Sequence, residues 1–163
     1  MADIDGDNLA NILNGVAGEE NIIFGYDGND KIYGVDYQNP SVTMQGQGAD
    51  TIFGGAGNDV IYGYGGNDTL YGDGPSKSLD SGNDRLFGGD GDDFFRGGMG
   101  KDFFDGGDGF DRISFFHLNA TSAVIVDLKT NTVYDDGYGN TETFRSIEGL
   151  ERFPITLDRS RRS

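Results

Sequence analysis

Apolar side chains recur along this chain at Leu13, Ile23, Ile32, Ile52, Ile61, Leu70, Leu86, Phe95, Phe104 and Ile113. Each stands two places after an aspartate or asparagine: Asn11, Asn21, Asp30, Asp50, Asp59, Asp68, Asp84, Asp93, Asp102 and Asp111. The usual spacing is nine residues, and the register holds at all ten positions of a chain that is only 35% hydrophobic. A fixed short period of this kind marks a stacked repeat. The three residues around each apolar position suffice for one strand step, with the apolar side chain inward and its neighbours outward. The residues before them carry the glycines that tight turns with positive φ require. Successive units then wind alternately onto two sides, so that each stacks on the second unit after it. The predicted fold is all-β: a right-handed parallel β-roll over residues 1–111, followed by a short antiparallel cap over 112–157 and a linker-like tail over 158–163.

Composition sharpens this picture. With 163 residues the chain has the length of about one domain. Twenty-nine glycines and few apolar residues make a poor conventional core, and a formal charge of −16 adds self-repulsion. Nucleic acid and anionic membrane surfaces are repelled by that charge. The fitting counter-ligand is a hard cation, and carboxylate with carbonyl oxygen is calcium chemistry. Without the cation, such a Gly/Asp-rich chain is expected to be disordered. Cysteine is absent, which excludes disulfides and thiolate metal sites. The first residues, Met1-Ala2-Asp3-Ile4-Asp5-Gly6, lack the basic and apolar regions of a signal peptide, and no apolar run is long enough for a membrane span.

Stacking places one acidic side chain from each of two turns beside a slot walled by backbone carbonyls. The expected metal ligands are Asp30, Asp50, Asp59, Asp68, Asp84, Asp93, Asp102 and Asp111. Their stacked pairs are 30 with 59, 50 with 68, 59 with 84, 68 with 93, 84 with 102, and 93 with 111, which allows up to about six calcium ions. Asn11 and Asn21 replace aspartate at the start, and Leu9 and Glu19 stand where turn glycines are expected. That edge is expected to bind poorly and to act as a cap. Insertions at roughly 36–45 and 74–81 break the spacing and are expected to be surface loops.

The residue after the inward position is aromatic in six units: Phe24, Tyr33, Phe53, Tyr62, Tyr71 and Phe87. Alternation puts Phe24, Phe53 and Tyr71 on one face, with Tyr33, Tyr62 and Phe87 on the other. Such rows can be ladders that stiffen the sheets or platforms on which sugar rings stack. Beyond residue 111, Val124-Ile125-Val126-Asp127 and its neighbours alternate apolar and polar, with turn residues at 129–132 and 135–140, and Ser146-Ile147-Glu148-Gly149-Leu150 reads as a closing strand. Arg145, Arg152, Arg159, Arg161 and Arg162 gather positive charge at this end, either for solubility or for a polyanion. The single histidine, His117, has no nucleophile or acid marking a cleft with it, and Glu142, Glu148 and Glu151 are acids without an assigned role. The chain is therefore expected to be non-catalytic.

Gly54-Gly55-Ala56-Gly57-Asn58-Asp59-Val60-Ile61-Tyr62 and Gly88-Gly89-Asp90-Gly91-Asp92-Asp93-Phe94-Phe95-Arg96 are full copies of G-G-x-G-x-D-x-U-x. They resemble the RTX, or hemolysin-type, calcium-binding β-roll family. That resemblance implies a secreted bacterial protein, type I export in the unfolded state, and folding on calcium outside the cell. In length, outward aromatics and tail the chain is also similar to the R-modules of secreted mannuronan C-5 epimerases. This likeness implies a calcium-bound accessory module beside other modules of the same polypeptide, with an alginate-like anionic polysaccharide as partner. Tyr33, Tyr62, Phe87, Phe53, Tyr71, Arg145 and Arg152 are the residues expected to touch it. The alternative reading is a structural module of an adhesin, protease or lipase whose only ligand is calcium.

Overall fold

The computed structural model describes residues 1–16, 18–34, 48–74, 82–115, 124–136, 139–151 and 155–157. Among them there is no helix, and the strands form two sheets around one core. The first sheet has the order β1 (Ala2–Asp5), β3 (Asn21–Asp27), β5 (Thr51–Ala56), β7 (Thr69–Tyr71), β9 (Phe94–Arg96), β11 (Arg112–Ser114) and β15 (Gly149–Glu151). The second runs β2 (Ile12–Asn14), β4 (Lys31–Tyr33), β6 (Val60–Gly65), β8 (Arg85–Asp90), β10 (Phe103–Asp108), β14 (Glu142–Arg145), β13 (Thr132–Asp135), β12 (Val124–Asp127) and β16 (Ile155–Leu157). From β1 to β11 the sheets take alternate strands and every pair is parallel, which is the predicted β-roll.

Register explains why the apolar residues recur. Ile23, Ile52, Leu70, Phe95 and Ile113 stack in one column, and Leu13, Ile32, Ile61, Leu86 and Phe104 in the other. All of them except Leu13 are completely buried. Burial of each contributes about 1.5–3 kcal/mol. A single coil contributes only two such residues, so stability grows by stacking neighbours and not within one unit.

The turns bring successive backbones too close for side chains. Gly57 sits at φ +122°, and a Cβ there would run into the carbonyl oxygen of Gly28. Tyr26 and Tyr64 break the rule, holding left-handed φ of 72° and 78° where other units have the second glycine of the pair. Each costs about 1–2 kcal/mol relative to glycine.

The expected antiparallel cap is present in part. β12, β13 and β14 form an antiparallel meander, with its first turn at residues 128–131, one residue ahead of the expected 129–132. The roll, however, does not end at the last aspartate. β14 adds to β10 and β15 adds to β11, both in parallel, with Phe144 opposite Phe104 and Leu150 opposite Ile113. These two strands extend the coil before the meander closes it, because Glu142-x-Phe144 and Glu148-x-Leu150 keep the acid-then-apolar spacing. The two insertions (Gly74 apart), His117, Arg152 and the tail lie outside the described residues.

Candidate metal centre

The acidic positions form two continuous ladders, one in the turns at each edge of the roll. In each, the backbone N–H of one acidic residue donates to the carboxylate of the stacked one. Asp30 donates to Asp59 Oδ1 at 2.7 Å, Asp50 to Asp68 at 2.8 Å, Asp59 to Asp84 at 2.9 Å, Asp68 to Asp93 at 2.8 Å, Asp84 to Asp102 at 3.0 Å and Asp93 to Asp111 at 2.9 Å. These are the six pairs read from the spacing. All eight aspartates are at most 3% exposed.

Only one oxygen of each carboxylate is used this way. The other, Oδ2 of Asp30, Asp50, Asp59, Asp68, Asp84, Asp93, Asp102 and Asp111, is buried without a hydrogen-bond partner. An unpaired buried carboxylate oxygen is costly, and repeating it along the molecule is strong evidence of a missing positive partner. The three ion pairs among the described residues are Met1 with Glu19, Arg112 with Glu151, and Arg145 with Asp105, and none supplies it.

The glycines show where that partner fits. A Cβ on Gly25, Gly34, Gly54, Gly63, Gly72 or Gly88 would collide with the inward Oδ2 of its own unit and with a glycine carbonyl of the stacked unit. Side-chain and main-chain oxygens therefore converge on one small volume in each turn. Among the described residues no three carboxylates or imidazoles gather at a point. The available donor set is two carboxylates plus carbonyls, which is oxygen-only and suits calcium.

Asn21 traces the same cage with hydrogen bonds. Its Nδ2 donates to Gly34 O at 3.0 Å, to Asp50 Oδ1 at 2.9 Å, to Glu19 O at 3.2 Å and to Val16 O at 3.3 Å. An amide nitrogen thus faces four acceptors where the aspartate units present an orphaned oxygen. Asn11 behaves differently: it turns Oδ1 toward Gly6 and anchors Nδ2 on Asp7 at 3.1 Å. The two asparagines that look equivalent in sequence offer opposite charge to the turn.

Desolvation dominates the proton affinity of the ladder. It raises Asp50 to about 6, Asp59, Asp68 and Asp102 to about 7, Asp93 to about 8 and Asp84 to about 9, and it raises Asp30 and Asp111 as well. The N–H donors lower these values, but too little to offset burial.

Asp102 differs from the other seven. Its Oδ2 faces Gly97, and the Phe104 ring comes up to the same glycine, so that a Cβ there would meet both. Across from it in register lies Glu142, 1% exposed, with Oε2 unpartnered. Burial, then Asp102 and Asp136, hold the Glu142 carboxyl well above its ordinary range. Glu142 and Glu148 escape a search for aspartate alone, although both stand two places before an apolar residue. An outer ladder also goes unpredicted: Asn58 N–H donates to Asn29 Oδ1, Asn83 to Asn58 and Lys101 to Asn83 at 2.7–2.8 Å. Its signal in the sequence is the asparagine immediately before Asp30, Asp59 and Asp84.

The outward aromatics stack as expected. Tyr33 and Tyr62 are 5.3 Å apart and Tyr62 and Phe87 4.8 Å, while Phe24 and Phe53 are 5.0 Å apart and Phe53 and Tyr71 4.6 Å. Arg145 lies 5.8 Å from the Phe103 ring and ion-pairs with Asp105.

A family model described as the RTX calcium-binding nonapeptide repeat, in four copies, matches residues 5–35, 45–74 and 79–113, more than half of the chain. No curated protein matches it.

Two outcomes follow from the cage. Between about pH 4 and pH 9 the folded metal-free ladder binds more protons than the unfolded chain, so its stability falls as pH rises through that range. In chelator, far-UV circular dichroism is expected to show more β structure at about pH 5 than at pH 7.5, and an equal signal at both would contradict the burial argument. Asn21→Asp replaces the amide plug by a carboxylate and is expected to add one calcium ion to the count in native mass spectrometry; an unchanged count would refute the equivalence of the cages.

Proposed function

The chain belongs to the RTX calcium-binding nonapeptide-repeat family and is a calcium-binding β-roll module, and from that premise we propose how its residues bind calcium and what the folded roll serves. Asp30, Asp50, Asp59, Asp68, Asp84 and Asp93 each turn Oδ2 onto an ion shared with the stacked unit, whose carboxylate completes the pair; Asp102 and Asp111 act as the stacked members of the last two pairs. The observation that carries this reading is the row of buried, unpartnered Oδ2 atoms. Calcium supplies a dication content with six to eight oxygens at flexible geometry. The chain supplies the rest: glycines that leave room, carbonyls that point inward, and N–H groups that hold each carboxylate in place. About six ions would offset three quarters of the formal charge of −16.

The module is secreted, passes the membrane unfolded, and folds outside the cell where calcium is plentiful. Binding free energy then becomes folding free energy, because no cage exists in the unfolded chain. Repeat domains of this family are non-catalytic structural modules, and RTX repeats are typical of secreted proteins. Among the described residues no helix is long and apolar enough to cross a membrane.

The second part of the proposal is an acidic-polysaccharide surface on the face of Tyr33, Tyr62 and Phe87, in a module that assists an alginate-active enzyme. A groove of about 250 Å³ opens there between Tyr62, Tyr64, Phe87, Gly88, Gly89 and Asp90. Tyr64 is kept in the left-handed region beside it, at a cost that strain at functional positions commonly carries. The row ends in guanidinium groups: Arg85 lies 5.4 Å from the Phe87 ring, and Arg85 and Arg145 lie 5.7 and 5.8 Å from Phe103. Aromatic faces for sugar rings beside cations for carboxylates suit a uronic-acid chain. The face of Phe53 and Tyr71 has stacked rings too, and there the rings stiffen the sheet.

The calcium reading is tested by circular dichroism during titration from a chelated start at pH 7.5. A cooperative gain of β signal with calcium, and not with magnesium, is expected; a chain already folded in chelator would contradict it. For the polysaccharide, calorimetric titration of the calcium-loaded module with alginate oligomers is expected to give an isotherm that Tyr62→Ala weakens about tenfold, or about 1.4 kcal/mol. No isotherm for the unaltered module would leave calcium as its only ligand.

A further inference from the structure

We propose a seventh calcium site, at the end of the nonapeptide repeats, at which Asp111, the Ser146 carbonyl and Glu148 join the C-terminal segment to the last coil of the roll. The inference rests on the calcium reading above and extends it to Ser146 and Glu148, which lie beyond the matched repeats. The register of β11 and β15 sets Arg112 opposite Gly149, which places Asp111 opposite Glu148. Glu148 repeats the ladder contact: the Asp111 N–H donates to Glu148 Oε2 at 2.9 Å, within the 2.7–3.0 Å of the aspartate rungs. In return the Glu148 and Gly149 N–H groups donate to Asp111 O at 3.0 and 2.8 Å.

The oxygen cage is present as well. A Cβ on Gly106 would collide with Asp111 Oδ2 and with Ser146 O, the same pairing of inward carboxylate and stacked carbonyl that the six repeat cages show. In those cages the stacked carbonyl belongs to glycine. Here Ser146 takes the glycine's place, and it holds a left-handed φ of 49°. Asp111 is fully buried, its Oδ1 is occupied by the Asp93 N–H at 2.9 Å, and its Oδ2 has no partner. Two acids and an inward carbonyl therefore meet around an unpaired oxygen at the seam between roll and cap. The longer glutamate side chain lets a segment arriving from outside the repeat supply its carboxylate from a looser turn.

The consequence is mechanical. An ion at this seam ties residues 146–151 to the coil, so that the closing strand docks only when the roll is loaded. At the neighbouring Asp102–Glu142 rung the Phe104 ring lies against Gly97 beside Asp102 Oδ2.

Crystals of the unaltered chain grown in calcium give the direct test. An anomalous peak between Asp111 Oδ2 and Ser146 O is expected. That position empty while the six repeat cages are filled would overturn the inference alone; ions at none of the cages would overturn the calcium reading itself. Glu148→Gln keeps an oxygen able to accept the Asp111 N–H while removing the charge. Native mass spectrometry of this variant at limiting calcium is expected to show the loss of one ion relative to the unaltered chain, with the β signal retained. An unchanged ion count would count against the site.

Discussion

Everything in this molecule depends on a buried carboxylate oxygen that has nothing to bond to. A β-roll unit brings one aspartate into a glycine-walled turn, satisfies one of its oxygens with the N–H of the stacked unit, and leaves the other facing carbonyls. Two kinds of partner relieve that arrangement. Protons do so at the values of about 6 to 9 that burial imposes on Asp50 to Asp102, and a dication does so at neutral pH. Since a cage requires two stacked turns, the cost is met only when the coil has formed, and coil formation and ion binding become one event.

The core is correspondingly slender. Each turn of the coil buries two apolar side chains, against a backbone rich in glycine that loses much conformational freedom on folding. Packing alone gives the columns their register, with the apolar residues stacked in line, but it cannot account for a chain of this charge holding together. The outer asparagine ladder and the stacked aromatic rows add lateral stiffness on the solvent side.

The two ends of the roll solve the problem of an exposed coil in different ways. At the N-terminal end Asn21 inserts an amide nitrogen into the carbonyl cage, a neutral substitute that needs no ion. At the C-terminal end the chain continues the ladder with Glu142 of β14 and Glu148 just before β15, and the β12–β13–β14 meander extends the second sheet. The parallel stack thereby passes into an antiparallel meander, and the short β16 pairs in parallel with β12 at the outer edge, which leaves only a short open row of backbone groups.

The amino-acid sequence by itself determined the roll. A nine-residue period with an apolar residue two places after each acid leaves one way to bury the apolar set, and the stacked pairs, the inward columns and the aromatic rows all follow from that alternation. Those relations are local and periodic, so spacing alone carries them. Three things were decided only by the tertiary structure. Asn11 and Asn21 are the same residue at the same repeat position, yet they turn opposite ends of the amide inward, because their surroundings are Asp7 in one case and four acceptors in the other. Glu142 and Glu148 looked unassigned until the chain returned after an excursion and set them in register with Asp102 and Asp111, a contact between residues 37 apart for the Asp111 rung. Asp102 reads like its neighbours, but the ring of Phe104 is brought up against the Gly97 turn that its Oδ2 faces. Spacing specifies which residues stack; which atoms face each other depends on what the rest of the chain brings alongside.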